Sequence, residues 1–146
     1  MRKASGVFWG LWGALHVLGG AGGVAAFLTK PATELLRGYG PVLLPAPAPG
    51  PAVDMAAHLS LDFALLLVGY GALGIVTGIK TWRGRWDGFW LAVALIGLAD
   101  GAFIVALVLP GYAGASGWIG PVLYLIASGL GVVAKRREPS PTRAAA

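Results

Sequence analysis

Few side chains inside the apolar stretches of this chain can bind, ionise or relay a proton. They are His16, His58, Asp62, Asp100 and Tyr124. In AAHLSLDFALLLVGYGALG (56–74) Asp62 follows His58 by four residues, so a helix places both on one face. A carboxyl and an imidazole in contact share one proton, and their titrations then belong to the pair. The same i, i+4 pair offers one nitrogen and one oxygen to a metal ion. His16 or Asp100 would complete an N/O shell suited to Zn, Mn or Fe. Two histidines could also ligate a haem axially.

The elements that must position these residues follow from bulk composition. The chain has 146 residues, 57% of them hydrophobic and 12% charged, with mean hydropathy +0.75. A soluble domain carries about a quarter charged residues; half that, with long apolar runs, is a membrane composition. The net charge is +5. The basic residues flank the apolar runs in short clusters, which argues against nucleic acid as the partner. With no cysteine present, disulfides, thiolate metal sites and thiol redox chemistry are excluded. The 24 glycines, the abundant alanine and the excess of Arg over Lys suggest GC-rich bacterial coding.

A spanning helix needs about 20 mostly apolar residues, and four segments meet that length: 7–28, 55–79, 88–110 and 117–134. The expected fold is all-α, a single four-helix transmembrane domain over 1–134 in an up-down-up-down bundle. Arg2 and Lys3, then Lys80, Arg83 and Arg85, then Lys135, Arg136, Arg137 and Arg143 lie on one side of the spans. The other side holds Lys30 and Arg37 alone. The positive-inside rule therefore places both termini in the cytoplasm of a multi-pass protein of the bacterial inner membrane. Trp9, Trp12, Trp82, Trp86 and Trp90 read as anchors near the inner face, Tyr112 and Trp118 near the outer. A cleaved signal peptide is the competing reading of MRK and GGAGGVAA. The apolar run continues to Leu28 and holds His16 and two tryptophans, which suits a helix that stays.

The connections after the second and third spans are short, so neighbouring helices pack antiparallel. The first outer connection, 29–54, is long and contains GPVLLPAPAPGP, a stiff polyproline-II composition. It reads as a surface linker or, alternatively, as a lid over the outer mouth. Before it, KPATELLRGYG predicts a short interfacial helix with Pro31 in its first turn and Gly38 at its end. Residues 135–146 read as a disordered basic cytoplasmic tail.

Membrane helices associate where small residues let backbones approach. The expected packing positions are Gly13, Gly20 and Gly23 in the first span, Gly69, Gly74 and Gly78 in the second, Gly97 in the third and Gly120 in the fourth. Each span carries polar groups along the same stripes. Counted from the outer ends at about 1.5 Å per residue, Asp62 lies ~12 Å deep, Asp100 ~15 Å and His16 ~18 Å. Tyr124 falls at ~10 Å and His58 at ~6 Å. The depth offset between the two histidines, about 12 Å, argues against haem.

A mid-span Asp facing lipid costs about 2.5–3.5 kcal/mol, so these five residues are expected to converge on a polar pocket. Inward of His16 only Tyr70, Thr77 and Ser128 continue the line, which favours an outward-opening pocket for a small ligand or proton over a continuous path. No cofactor motif is present, and no nucleophile elbow, phosphate loop or metalloprotease motif points to an enzyme. The alternative is a non-catalytic accessory or assembly subunit with a structural polar cluster. Its glycine faces would meet a membrane-protein partner or a second copy, and its basic inner rim anionic lipid. In layout (four spans, both ends inside, a long first outer loop) the chain is similar to DoxX-like and other small bacterial membrane families, a likeness that carries no site residues.

Overall fold

A helix pairs most of its backbone groups within one segment, which suits long apolar runs, and the chain folds accordingly. The computed structural model describes residues 1–38, 48–111 and 115–138, and among these it is helical with no strand. Four of its helices are long and apolar enough to cross a membrane. The first, α1, is Arg2–Thr29. It stops because Lys30 precedes Pro31, whose ring forces the preceding residue out of the helical region; Lys30 is extended at φ −117°, ψ 145°. The short helix α2, Ala32–Gly38, follows, with Leu35 buried against the body.

Helix α3 spans Pro51–Trp82, with Pro51 at its start, Asp54 in its first turn and Lys80 in its last. That arrangement complements the helix dipole at both ends. The turn that follows uses Gly84 (φ +77°) and Gly88 (φ +79°), a left-handed conformation that glycine adopts without penalty. Lys80 closes it with a 2.6 Å bond to Asp87. That hydrogen bond holds the Asp87 carboxyl below the usual carboxylate range. Helix α4, Phe89–Phe103, continues into one wide π turn, Ile104–Val108. A 3₁₀ turn, Ala115–Trp118, leads into α5, Ile119–Arg136.

The closest contact joins α1 to α3. Gly6, Gly13 and Gly20 of α1 meet Gly78, Gly71 and Ala64 of α3, so the two helices run antiparallel. The spacing is seven on both helices, the repeat that keeps one stripe facing a partner. A Cβ on Gly13 would lie 2.5 Å from the Gly71 carbonyl oxygen and 2.6 Å from the Ile75 nitrogen. Substitution there pushes backbone against backbone. Gly6 and Gly71 belong to this seam beside the expected Gly13, Gly20 and Gly78. Gly74 receives the Trp12 ring. Gly69 has open space around it, and Gly23 is only half-buried.

Helix α5 also runs antiparallel to α1: Ser5 donates to the Ala127 carbonyl at 2.6 Å, and Gly120 sits against His16. The core collects where α1, α4 and α5 meet: Trp9, Trp12, Phe89, Ala92, Ile96 and Ala127 are all buried. Trp9 packs edge-on to Trp12, Phe89 and Tyr124 at 6.3, 6.5 and 5.8 Å. Trp9 and Trp12 are thus core residues, 0% and 1% exposed, and not the interfacial anchors their position near the chain start suggested. Trp82, Trp90 and Trp118 keep exposed rings. Apolar side chains cover the outside as well: Leu18 and Leu98 are 73% exposed, unfavourable in water and ordinary in lipid.

The last helix runs past Ala134 to Arg136. Just beyond it, Glu138 accepts the Trp86 indole N–H at 2.6 Å and lies 3.7 Å from Arg2. Most of the Pro-rich stretch proposed as linker or lid, Tyr112, and 139–146 of the expected tail lie outside the described residues.

Candidate functional site

The polar residues are sorted by the α1–α3 seam. Ala57, Ala64, Gly71 and Gly78 of α3 turn toward α1, and all four are buried. At ~100° per residue, Asp62 stands roughly 180° from Gly71 around the helix. Asp62 is accordingly exposed. His58 is exposed too; its Nδ1 bonds to the Asp54 carbonyl at 2.8 Å and its ring meets Phe27 edge-on at 5.3 Å. Neither residue reaches the interior.

His16 and Asp100 do come together, through Trp12. The Trp12 indole N–H donates to Asp100 Oδ2 at 3.1 Å. The His16 ring stacks on the Trp12 ring with centroids 3.8 Å apart and 23° between planes. His16 Nδ1 lies 2.7 Å from the Trp12 carbonyl oxygen. A carbonyl oxygen only accepts, so the neutral imidazole carries its proton on Nδ1 and leaves Nε2 as a lone-pair acceptor. Gly120 makes room for the ring: a Cβ there would sit 3.1 Å from His16 Cε1 and 3.3 Å from Nε2.

His16, Trp12 and Asp100 form one wall of a cavity of about 640 Å³ between α1, α3, α4 and the start of α5. The volume lies within the ~300–1,000 Å³ range of small-molecule sites. Phe63 on α3 and Phe103 on α4 line it with their rings nearly parallel, centroids 6.5 Å apart. The wall runs from buried Asp100 to exposed Leu15, Leu66 and Ser116, so the cavity opens to the outside of the protein. The π turn contributes Ala106 and Leu107. Such turns recur at functional sites because the extra residue shifts side chains around the helix.

Tyr124 lies apart from this cavity. Its hydroxyl donates to the Val93 carbonyl at 2.8 Å and fills the space beside Gly97. The tyrosine thereby ties α5 to α4. Among the described residues, no three His, Asp or Glu side chains come close enough to hold a metal ion. Of the five residues singled out by type and depth, two share the cavity. Sequence reasoning missed Trp12 as the link between them. The available signal was Trp12 and His16 at i, i+4 on the first helix.

Comparison with protein-family models, curated proteins and solved structures finds no match.

Proposed function

We propose that this chain is a small polytopic protein of the bacterial inner membrane, with both termini in the cytoplasm, that binds an amphipathic small molecule in the outward-opening cavity between its helices. The carrying observation is that His16 and Asp100, from two helices, share one largely apolar cavity through Trp12. An apolar pocket with a few convergent polar groups is the usual form of a ligand site. A carboxyl group and an imidazole are also expensive residues to keep within a span.

The accessory-subunit reading retains one observation of its own. Gly10, Gly19, Gly22, Gly69 and Gly129 have open space where a side chain would be, which suits close approach by another helix or a second copy. Contact of the basic inner rim with anionic lipid is compatible with either reading.

Cysteine labelling tests the cavity directly, because the natural chain contains no cysteine. Ser116 lines the cavity mouth and Trp118 lies outside it; both are exposed. In detergent solution, 4-phenylbutanol or 4-phenylbutylammonium is expected to slow N-ethylmaleimide labelling of the S116C variant and leave the W118C variant unchanged. Equal rates with and without both probes in S116C would refute the binding role.

A further inference from the structure

We infer that the molecule this cavity takes is a lipophilic ammonium: an apolar body carrying a cationic head with N–H donors. The inference rests on the binding role proposed above and adds the chemical class. Its basis is the hydrogen-bonding inventory of the wall. His16 Nδ1 is committed to the Trp12 carbonyl, so the neutral ring offers the cavity an acceptor at Nε2. Asp100 Oδ2 is committed to the Trp12 indole, and its second oxygen takes no hydrogen bond from the described residues. The Trp12 N–H, the one obligate side-chain donor in the wall, is already used on Asp100. Among the described residues, no lysine or arginine lines the cavity. Tyr70 and Ser116 add hydroxyls that can donate or accept. The groups beside Trp12, His16 Nε2 and the second Asp100 oxygen, are acceptors, and no lysine or arginine among the described residues answers an ionised Asp100.

A ligand head that pairs with these two acceptors must donate, and a positive one also neutralises an ionised Asp100. Charge-assisted bonds of this kind are roughly twice as strong as neutral ones. The rest of the lining agrees. Phe63, Tyr70 and Phe103 present aromatic rings, which attract cations over their faces and pack equally well against an apolar body. A carboxylate head would meet Asp100 as a like charge. A hydroxyl head can donate one bond but leaves the charge unanswered.

The test compares three probes that share one body, 4-phenylbutylammonium, 4-phenylbutanol and 4-phenylbutanoate, by protection of the S116C variant from N-ethylmaleimide. The ammonium is expected to protect at ~10-fold lower concentration than the alcohol, and the carboxylate most weakly. Adding Asp100→Asn should shrink the ammonium–alcohol gap to about threefold or less. Asparagine keeps a carbonyl oxygen for the Trp12 indole, so the wall retains its shape; an unchanged thermal unfolding curve checks this.

Protection by the alcohol equal to that by the ammonium, or better protection by the carboxylate, would overturn the ammonium class and leave the binding role standing. An ammonium preference that survives Asp100→Asn would overturn the assignment to Asp100. No protection by any probe would defeat both this inference and the binding role. A lipid headgroup and a free amine share the chemistry, and dihexanoyl phosphatidylethanolamine against its choline analogue separates them. Asp100-dependent protection by the ethanolamine lipid alone of that pair assigns a headgroup. Protection by 4-phenylbutylammonium and by neither lipid assigns a free amine.

Discussion

The end of the molecule where Arg2 meets Glu138 and the opposite end solve different problems with the same helices. At the first, Trp9, Phe89 and Ile96 fill the space between α1, α4 and α5, while glycines bring α1 and α3 into backbone contact. Toward the other end the helices leave a cavity among them. Phe63 and Phe103 stack in its lining, α4 loosens into a π turn, and exposed residues form the rim. Trp12 marks the boundary: one side of it packs on Gly74, and the His16 and Asp100 contacts turn toward the cavity. The contrast is that of a closed core holding an open site. Substitutions in the first region should damage the fold, and those in the second should change what the protein binds.

The sharpest way to break this contrast is at the seam. Gly13→Leu should cost at least ~3 kcal/mol, because the side chain meets the backbone of Gly71 and Ile75. The expected result is aggregated or unfolded protein by size-exclusion chromatography. Gly69→Ala is the matched control on the open face and should change stability by within about 1 kcal/mol, in the stabilising direction. Next in size, Trp9→Ala should cost about 3–5 kcal/mol, against well under that for Phe103→Ala at the cavity. Similar unfolding temperatures for these two variants would remove the distinction between core and site. Asp100→Leu should cost ~1–3 kcal/mol through the Trp12 N–H it leaves unpaired, whereas Asp100→Asn keeps that bond and most of the stability.

The smallest effect belongs to the turn between α3 and α4. Because the Lys80 bond lowers the Asp87 pKa in the folded chain, its contribution is complete above the unfolded carboxyl's range. It is lost as pH falls through the lowered folded value. Lys80→Met should flatten that part of the stability–pH curve slightly; a steeper dependence would contradict the assignment.

Much of the fold could be read before any coordinates, because apolar length and proline punctuation are strong local signals. The first apolar run, expected to end at Leu28, forms α1 up to Thr29, and the expected short helix after it forms as α2, Ala32–Gly38. The site was legible only by residue type. His58 and Asp62 looked central because they share a face, but a face becomes interior only if it can pack. The Ala57–Ala64–Gly71–Gly78 stripe allows closer backbone approach than one bearing an imidazole and a carboxyl. That stripe and its counterpart Gly6–Gly13–Gly20 are visible as a repeat of seven in the sequence. Which of α1's neighbours accepts Trp12, and hence that Asp100 meets it, depends on contacts between segments 88 residues apart. No local pattern encodes that distance.

The central claim is that the interior site is built on Asp100 and His16, with Asp62 outside it. The measurement that bears on it most directly is saturable binding of 4-phenylbutylammonium per chain in the unmodified protein, Asp62→Asn and Asp100→Asn, all in one detergent. The account requires one site per chain, retained in Asp62→Asn and weakened about tenfold or more in Asp100→Asn. Binding lost in Asp62→Asn and kept in Asp100→Asn would contradict it.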